Sequence, residues 1–230
     1  MIRDISPEGS DRSDTADSAS ARIDVPDPAA VPIRPAVSVL MVRDGRHGLE
    51  VFVQHRVTTM DFAAGVVVFP GGRVDPSDVS RAETLDVADP RVHDEAWTNS
   101  SIAEVPDGWR VLLAAAVREV EEETGTLLDP SLLRPWANWV TPLGLPRRFD
   151  TYFYLALVGE IHAPAHRTTE AHTSEWLPVE EILAEESAGR LRLMRPTLVL
   201  LGELSGFRDT AELSALDRRF DPVRPDLPAS

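Results

Sequence analysis

The chain has 230 residues, 43% of them hydrophobic, which is enough for one sizeable core and too few for two comfortable enzyme domains. Its formal net charge of −15 argues against nonspecific nucleic-acid binding, which needs basic side chains to neutralise phosphates. The absence of cysteine excludes disulfides, thiolate catalysis and cysteine zinc sites. The negative charge of an anionic substrate would therefore have to be neutralised by metal ions or by a few well-placed arginines.

The two ends of the chain are poor in large apolar side chains. Residues 1–30 are rich in Asp, Ser and Ala, so we expect a disordered acidic tail before a domain over residues 31–220. The Pro-rich residues 221–230 are expected to fray. No apolar run approaches the roughly 18 residues of a membrane span, and the N-terminus lacks the pattern of a signal peptide. These features predict a soluble cytoplasmic protein with no membrane partner.

The first ordered elements are predicted to be strands. Two β-rich runs, 36–42 and 50–54, flank turn residues and indicate a hairpin. A third run, 66–69, ends at a proline followed by Gly71 and Gly72. Paired glycines let the backbone turn sharply there or approach a ligand closely.

A polar stretch and a helix follow. Residues 76–106 are acidic, contain scattered prolines and show no sustained periodicity, which predicts a surface insertion lobe. A helix is then predicted from 107 or 108 to 124, with Gly125 as its stop.

The remaining elements alternate without a regular βαβ pattern. The sequence predicts strands at 139–141, 151–158 and 176–177, and helices at 179–185, 196–204 and 210–219. Hairpins mixed with helices in this way indicate an α+β fold, an α/β/α sandwich with a mixed sheet between helices.

Three carboxylates share one face of the helix predicted at 108–124. Glu119, Glu122 and Glu123 stand at i, i+3 and i+4, where like charges repel each other. Residues 119–128 contain no basic side chain, so another cation is a plausible partner. Clustered carboxylates suit Mg²⁺ or Mn²⁺, although an acidic solvated surface would have the same composition.

The two segments 69–75 and 118–125 together resemble the Nudix box, written G-x5-E-x7-R-E-U-x-E-E-x-G-U with U aliphatic. The chain is identified as a member of the Nudix hydrolase family by the match of its second half, at Arg118, Glu119, Val120, Glu122, Glu123 and Gly125.

Three departures from the box stand out. Arg118 follows Gly72 by 46 positions instead of 14, which implies an insertion of 32 residues. Position 126 is Thr rather than aliphatic, and Arg110 stands where the first glutamate is expected when counting back from Arg118. That glutamate's role is therefore lost or is supplied from the insertion, by a residue such as Glu104 or Asp107.

The insertion and the runs at 139–142 and 147–151 resemble the branch containing peroxisomal coenzyme A diphosphatases. The branch's location does not carry over, because the chain does not end in Ser-Lys-Leu. Relatives of this kind are commonly dimers, so a homodimer is also compatible with the resemblance.

The resemblance implies roles for the box residues. Glu119, Glu122 and Glu123 would bind Mg²⁺ or Mn²⁺ and act in catalysis, and Arg118 would orient a box carboxylate. Gly71 and Gly72 would let the backbone and substrate approach the helix.

A further carboxylate from a loop across the cleft often serves such enzymes as ligand or general base. Glu170 is the candidate, because it precedes the strand expected at Trp176, and Glu175 is the alternative. Either residue would equally suit an exposed surface.

Two arginines are candidate substrate contacts. Arg148 suits a substrate phosphate, although a salt bridge to Asp150 explains it equally well. Arg56, with His55, ends a predicted strand near the glycine turn and would line the pocket. Trp139 would pack in the core or stack on a base.

The predicted activity is metal-dependent cleavage of a diphosphate linkage in a small nucleotide-like molecule, with coenzyme A or acyl-coenzyme A as candidate substrates. An ADP-ribose or NADH pyrophosphatase is the alternative within the same chemistry. A noncatalytic nucleotide sensor is the alternative outside it, and the sequence does not choose the substrate.

Overall fold

A mixed β-sheet organises the part of the chain described by this computed structural model, residues 31–56, 66–159, 164–168 and 171–225. The tail predicted for residues 1–30 lies outside these ranges. The sheet has the order β3-β2-β1-β6-β5, with β4 paired to β1 and β7 paired to β2. Its strands are β1 (Ile33–Gly45), β2 (Gly48–Arg56), β3 (Val67–Val68), β4 (Gly71–Arg73), β5 (Leu133–Val140), β6 (Arg148–Leu157) and β7 (Ala171–Pro178).

Strand β1 is the central element. It forms the predicted hairpin with β2, closed at the Gly45 and Gly48 pair, and it runs parallel to β6 along ten residues. Its other edge is shared, because β2 pairs with residues 42–45 and β4 pairs with residues 36–38. The glycine segment is therefore a short strand that takes the place of β2 beside the start of β1.

Helices cover both faces of the sheet. They are α1 (Pro76–Thr84), α2 (Pro90–Ala96), α3 (Gly108–Thr124), α4 (Val179–Ser187), α5 (Arg195–Leu204) and α6 (Thr210–Ala215). One core joins α3 to the sheet, and a second core joins α4, α5 and α6 to the opposite face. The α+β fold with an α/β/α arrangement is confirmed. In the described residues no helix is long and apolar enough to cross a membrane.

Helix α3 forms where the sequence predicts it. Leu112, Leu113 and Val120 recur at helical spacing and are fully buried against the sheet. The helix ends at Gly125, which adopts a left-handed φ of 71° and donates its N–H to the carbonyl of Glu121. The polar end of the helix is thereby fixed relative to the sheet.

The stretch 76–106 is more regular than expected. Asp75 and Asp89 cap the helices α1 and α2, and each is followed by a proline at the first helical position. Proline begins a helix well at that position because no partner is needed for the missing N–H. The prolines therefore mark helix starts within the stretch that was predicted as a surface insertion without sustained periodicity. Trp97, just after α2, is 1% exposed, so part of the segment belongs to the core.

Several boundaries differ from the prediction. Helix α6 ends at Ala215 rather than near 219, and β5 and β7 begin earlier than expected. Within the stretch expected to fray, Val223 donates its N–H to the carbonyl of Asn138 and accepts from the N–H of Val140. These two bonds add Val223 to β5. Residues 226–230 lie outside the described part of the chain.

Candidate functional site

The last two turns of α3 carry the predicted carboxylates. Glu119 and Glu123 are largely buried, with 13% of the Glu119 side chain and 8% of Glu123 exposed, whereas 56% of the Glu122 side chain is exposed. All three line one cleft of about 1760 Å³. We call these three residues the carboxylate face. The structure therefore brings together the glutamates that the sequence grouped.

Arg118 organises this face. Its Nη1 donates to Glu119 at 2.9 Å and to Glu122 at 3.1 Å. Its Nε and Nη2 donate to the two oxygens of Asp78 at 2.8 and 2.9 Å, and Nη2 also donates to the carbonyl of Arg73 at 3.0 Å. The five N–H groups of the guanidinium thus have five protein acceptors. Arg118 orients carboxylates, as the resemblance implied.

Burial and the charges of neighbouring residues shift the pKa of Glu119 in opposite directions. The hydrogen bond to Asp78 raises the pKa of Arg118 far above its usual value, so the guanidinium stays charged. Burial raises the pKa of Glu119, while the nearby Arg118 charge lowers it. A carboxylate that is costly to ionise in a buried position gains from any cation that approaches it.

Asp78 is the residue that the sequence reasoning missed. It is fully buried, and it also accepts the backbone N–H of Asp75 at the start of α1. Counted forward from Gly72, position 78 is the sixth residue, where the box has its first glutamate. Counting back from Arg118 gave Arg110, which instead donates to the carbonyl of Leu85. The insertion therefore follows Asp78. In the described residues, neither Glu104 nor Asp107 accepts a hydrogen bond from Arg118.

Gly71 and Gly72 bring β4 against α3. A Cβ at Gly72 would overlap the carboxylate of Glu119, and a Cβ at Gly71 would overlap the carbonyl of Val37. Gly71 also has a φ of 151° and donates its N–H to Oε2 of Glu123 at 3.0 Å. Glycine is required at these positions because the backbone itself lies against the carboxylates of Glu119 and Glu123.

The cleft is positive, unlike the rest of the chain. Its described lining includes four acidic residues and seven arginines, a net charge of +3, whereas the whole chain carries −15. Its apolar wall includes Trp139, Phe149, Phe153 and Met194. The arginines are Arg34, Arg56, Arg73, Arg118, Arg147, Arg148 and Arg195. The cleft therefore joins a carboxylate face to a cationic and apolar surface.

Arg148 does not form the salt bridge considered as its alternative role. Asp150 instead accepts hydrogen bonds from Ser101, Asn138 and Tyr152. Arg148 is 9% exposed, and its Nε donates to the carbonyl of Thr141 at 3.2 Å. It lines the cleft.

The other candidates fall into three groups. Arg56, a candidate pocket residue, lines the cleft, and so does Trp139, for which core packing was the other expectation. His55 lies 3.1 Å from Glu175, so this alternative carboxylate faces a neighbouring strand residue and does not line the cleft in the described residues. Glu170 lies outside the described residues.

The donor set fits a hard divalent cation in its chemistry. The carboxylate face supplies oxygens, which Mg²⁺ and Mn²⁺ prefer, and Gly72 leaves room for Glu119 beside the strand. In the described residues, no three His, Cys, Asp or Glu side chains already form a group suited to a metal ion. Glu119 and Glu122 are instead both turned towards Arg118.

Comparisons with known proteins show which domain family this chain is similar to. Residues 91–197 match the model of the NUDIX domain. The chain is 31% identical over 171 residues to the "Putative nudix hydrolase 7" of Caenorhabditis elegans, a match that covers 69% of this chain. This chain spans 57% of the length of that relative.

A solved structure agrees with this assignment. The crystal structure of a NUDIX hydrolase from Alicyclobacillus acidocaldarius superposes with a TM-score of 0.69 at 26% identity, covering 81% of this chain and 97% of the other. The chain therefore contains a Nudix domain and is homologous to the Nudix hydrolases.

Proposed function

We propose that this chain hydrolyses a diphosphate linkage in a nucleoside-diphosphate-linked small molecule, with Mg²⁺ or Mn²⁺ held by the carboxylate face. One observation carries the proposal: three glutamates, two of them bonded to Arg118, line a cleft that is also lined by arginines. A diphosphate needs both features, because a metal ion and fixed cations must share its negative charge.

Glu119, Glu122 and Glu123 would hold the cation. When bound there, it would neutralise the diphosphate and lower the pKa of an attacking water. Arg118 keeps Glu119 and Glu122 in place, and its own charge is balanced by the fully buried Asp78.

The arginines of the cleft would bind the nonbridging oxygens of the substrate. The chain has 23 basic residues of the Lys and Arg type, and all of them are arginine. A planar guanidinium donates two parallel hydrogen bonds to a phosphate, which a lysine does not. Arg148 is the best-placed candidate because it is held against the end of β5 by Thr141 and lines the cleft.

The apolar wall formed by Trp139, Phe149 and Phe153 would bind a base or another flat, apolar part of the substrate. Coenzyme A or acyl-coenzyme A is the substrate favoured by the branch that the sequence resembles. ADP-ribose and NADH offer the same diphosphate with another leaving group, so they are the alternatives to compare.

Glu170 stays the candidate for general base. The residues on either side of the undescribed pair 169–170 are held near the site. Arg167 donates its N–H to the carbonyl of Glu123 at 3.0 Å, and Ala171 is paired with Arg56. Arg167 therefore lies next to the end of α3, and Ala171 lies next to Arg56 of the cleft lining.

The direct test is a turnover assay on coenzyme A, acyl-coenzyme A, ADP-ribose, NADH and nucleoside triphosphates, each with Mg²⁺, Mn²⁺ or a chelator. We expect metal-dependent release of monophosphate products from at least one diphosphate. Glu122→Gln should lower this turnover by about 100-fold or more while the circular dichroism spectrum is unchanged.

Glu121→Gln is the matched control, because Glu121 is an exposed glutamate of the same helix that does not line the cleft. It should retain full turnover. Equal activity of the Glu122 and Glu121 variants would rule out the proposed site, and nucleotide binding without any turnover would favour a sensor.

A further inference from the structure

Gln54 is a polar residue at a position where the sheet faces the core. It is 2% exposed, and it lies on β2 two residues after Phe52, which packs in the core between the sheet and α3. Alternate residues of a strand share a face, so Gln54 points towards the same helix. A buried amide costs free energy unless it is hydrogen bonded, and an apolar side chain would fill this position more cheaply.

The partner of this amide is a member of the carboxylate face. Gln54 Nε2 donates to Oε2 of Glu123 at 3.1 Å, and the N–H of Gly71 donates to the same oxygen at 3.0 Å. The two donors come from β2 and β4, the two strands that share one edge of β1. They therefore hold one oxygen of Glu123 from two directions.

These donors differ from the group that holds the other two glutamates. Arg118 brings a positive charge to Glu119 and Glu122, which offsets part of their attraction for a cation. The amide of Gln54 and the N–H of Gly71 orient Glu123 without adding a full charge. An oriented carboxylate that receives such neutral donors is well suited to bind a metal ion.

We propose that Gln54 is a positioning residue, which fixes the carboxylate of Glu123 for the divalent cation of the proposed hydrolase. This inference rests on the proposed function, and it explains why a polar side chain occupies the core position at the end of β2. Gln54 acts through Glu123 and has no role in contacting the substrate.

Metal binding without substrate provides the test. The affinity of the full-length chain for Mn²⁺ is measured by electron paramagnetic resonance, and the melting temperature is measured in the absence of metal. Gln54→Met has a similar size and no donor, so it should weaken Mn²⁺ binding by about tenfold or more. Its melting temperature should fall by no more than that of the control below, because the buried Glu123 carboxylate loses one donor but keeps the N–H of Gly71.

Phe52→Leu is the matched control on the same face of the strand. It should lower the melting temperature and leave the Mn²⁺ affinity unchanged, which is the pattern expected of a purely structural residue. If Gln54→Met folds and binds Mn²⁺ within twofold of the parent, the positioning role is wrong.

A second variant keeps the inference testable if Gln54→Met does not fold. Gln54→Asn retains the amide but is one methylene shorter, so it should also weaken Mn²⁺ binding by about tenfold. Parental affinity in this variant would overturn the inference. If the parent chain itself binds no Mn²⁺ and turns over no diphosphate, the proposed function fails and the inference fails with it.

Discussion

The segment between the two halves of the box is attached to the domain at two places that differ in chemistry. At the cleft, Asp78 holds Arg118 through two charged hydrogen bonds, and Arg118 in turn holds the glutamates of α3. We call this the charged anchor. At the far end of the segment, Ser101 donates to the buried Asp150 at 2.6 Å, and the N–H of Ile102 donates to the hydroxyl of Tyr152 at 3.2 Å.

The far end is otherwise apolar. Trp97 packs edge to face against Tyr152 and Tyr154, with ring centroids 5.1 and 5.5 Å apart. His93 stacks on Trp109 of α3, with a centroid distance of 5.4 Å. We call these contacts the aromatic anchor. From this difference we expect the two anchors to have different roles. The charged anchor should orient the residues of the site, and the aromatic anchor should stabilise the fold.

Asp78→Ala should have the largest effect, because it breaks the charged anchor and leaves Arg118 buried without its main counter-ion. Removing one partner of a buried ion pair costs about 3–5 kcal/mol. Turnover should fall by about tenfold or more as well, because Glu119 and Glu122 lose their oriented partner. Urea unfolding and the turnover assay measure the two effects.

Glu83→Ala is the control for this variant, because Glu83 is exposed on the same helix. Its stability should stay within about 0.5 kcal/mol of the parent. If Asp78→Ala keeps full turnover, the charged anchor does not arrange the site and the comparison between the anchors fails.

Trp97→Ala should affect stability without affecting chemistry. Truncating a fully buried tryptophan costs about 3–5 kcal/mol in the free energy of unfolding. The residue does not line the cleft, so turnover and metal dependence of the folded fraction should stay within a few-fold of the parent at low temperature. A loss of metal dependence in the folded variant would mean that the two anchors are coupled.

His93 gives the aromatic anchor a smaller, pH-dependent effect. Burial lowers the pKa of His93 from 6.5 to about 4. Between these values the unfolded chain binds a proton that the folded chain excludes, so stability falls as pH falls. The loss from this residue between pH 7.5 and pH 5 should be about 2 kcal/mol.

His93→Phe isolates that contribution, because it keeps an aromatic ring and removes the proton. The pH dependence of urea unfolding is compared between this variant and the parent across the same interval. The parent should lose more stability than the variant on acidification. Parallel curves for the two proteins would show that His93 is not the source.

Local signals in the sequence predict much of the fold and half of the site. The β1 and β2 hairpin, the helix α3 and its Gly125 stop follow from short-range patterns, and so does the carboxylate face. Each of these features is decided by residues within a few positions of one another. The helix starts at Asp75 and Asp89 also depend on local residues, since each Asp is followed by a proline at the first helical position.

The missing half of the site is held by contacts between distant residues. Asp78 meets Arg118 across 40 positions, and Gln54 meets Glu123 across 69. The spacing from Gly72 would have found Asp78, but the sequence has no signal for Gln54. A polar residue in a strand predicts exposure, and only the packing of α3 on β2 shows that this one is buried against a carboxylate.

Anomalous diffraction tests the central claim most directly. Crystals of the full chain are grown with Mn²⁺ and a nonhydrolysable nucleoside diphosphate analogue, and the manganese positions are located from their anomalous signal. We expect a peak within about 2.5 Å of carboxylate oxygens from at least two of Glu119, Glu122 and Glu123. A well-occupied manganese bound elsewhere, with none at the end of α3, would contradict it.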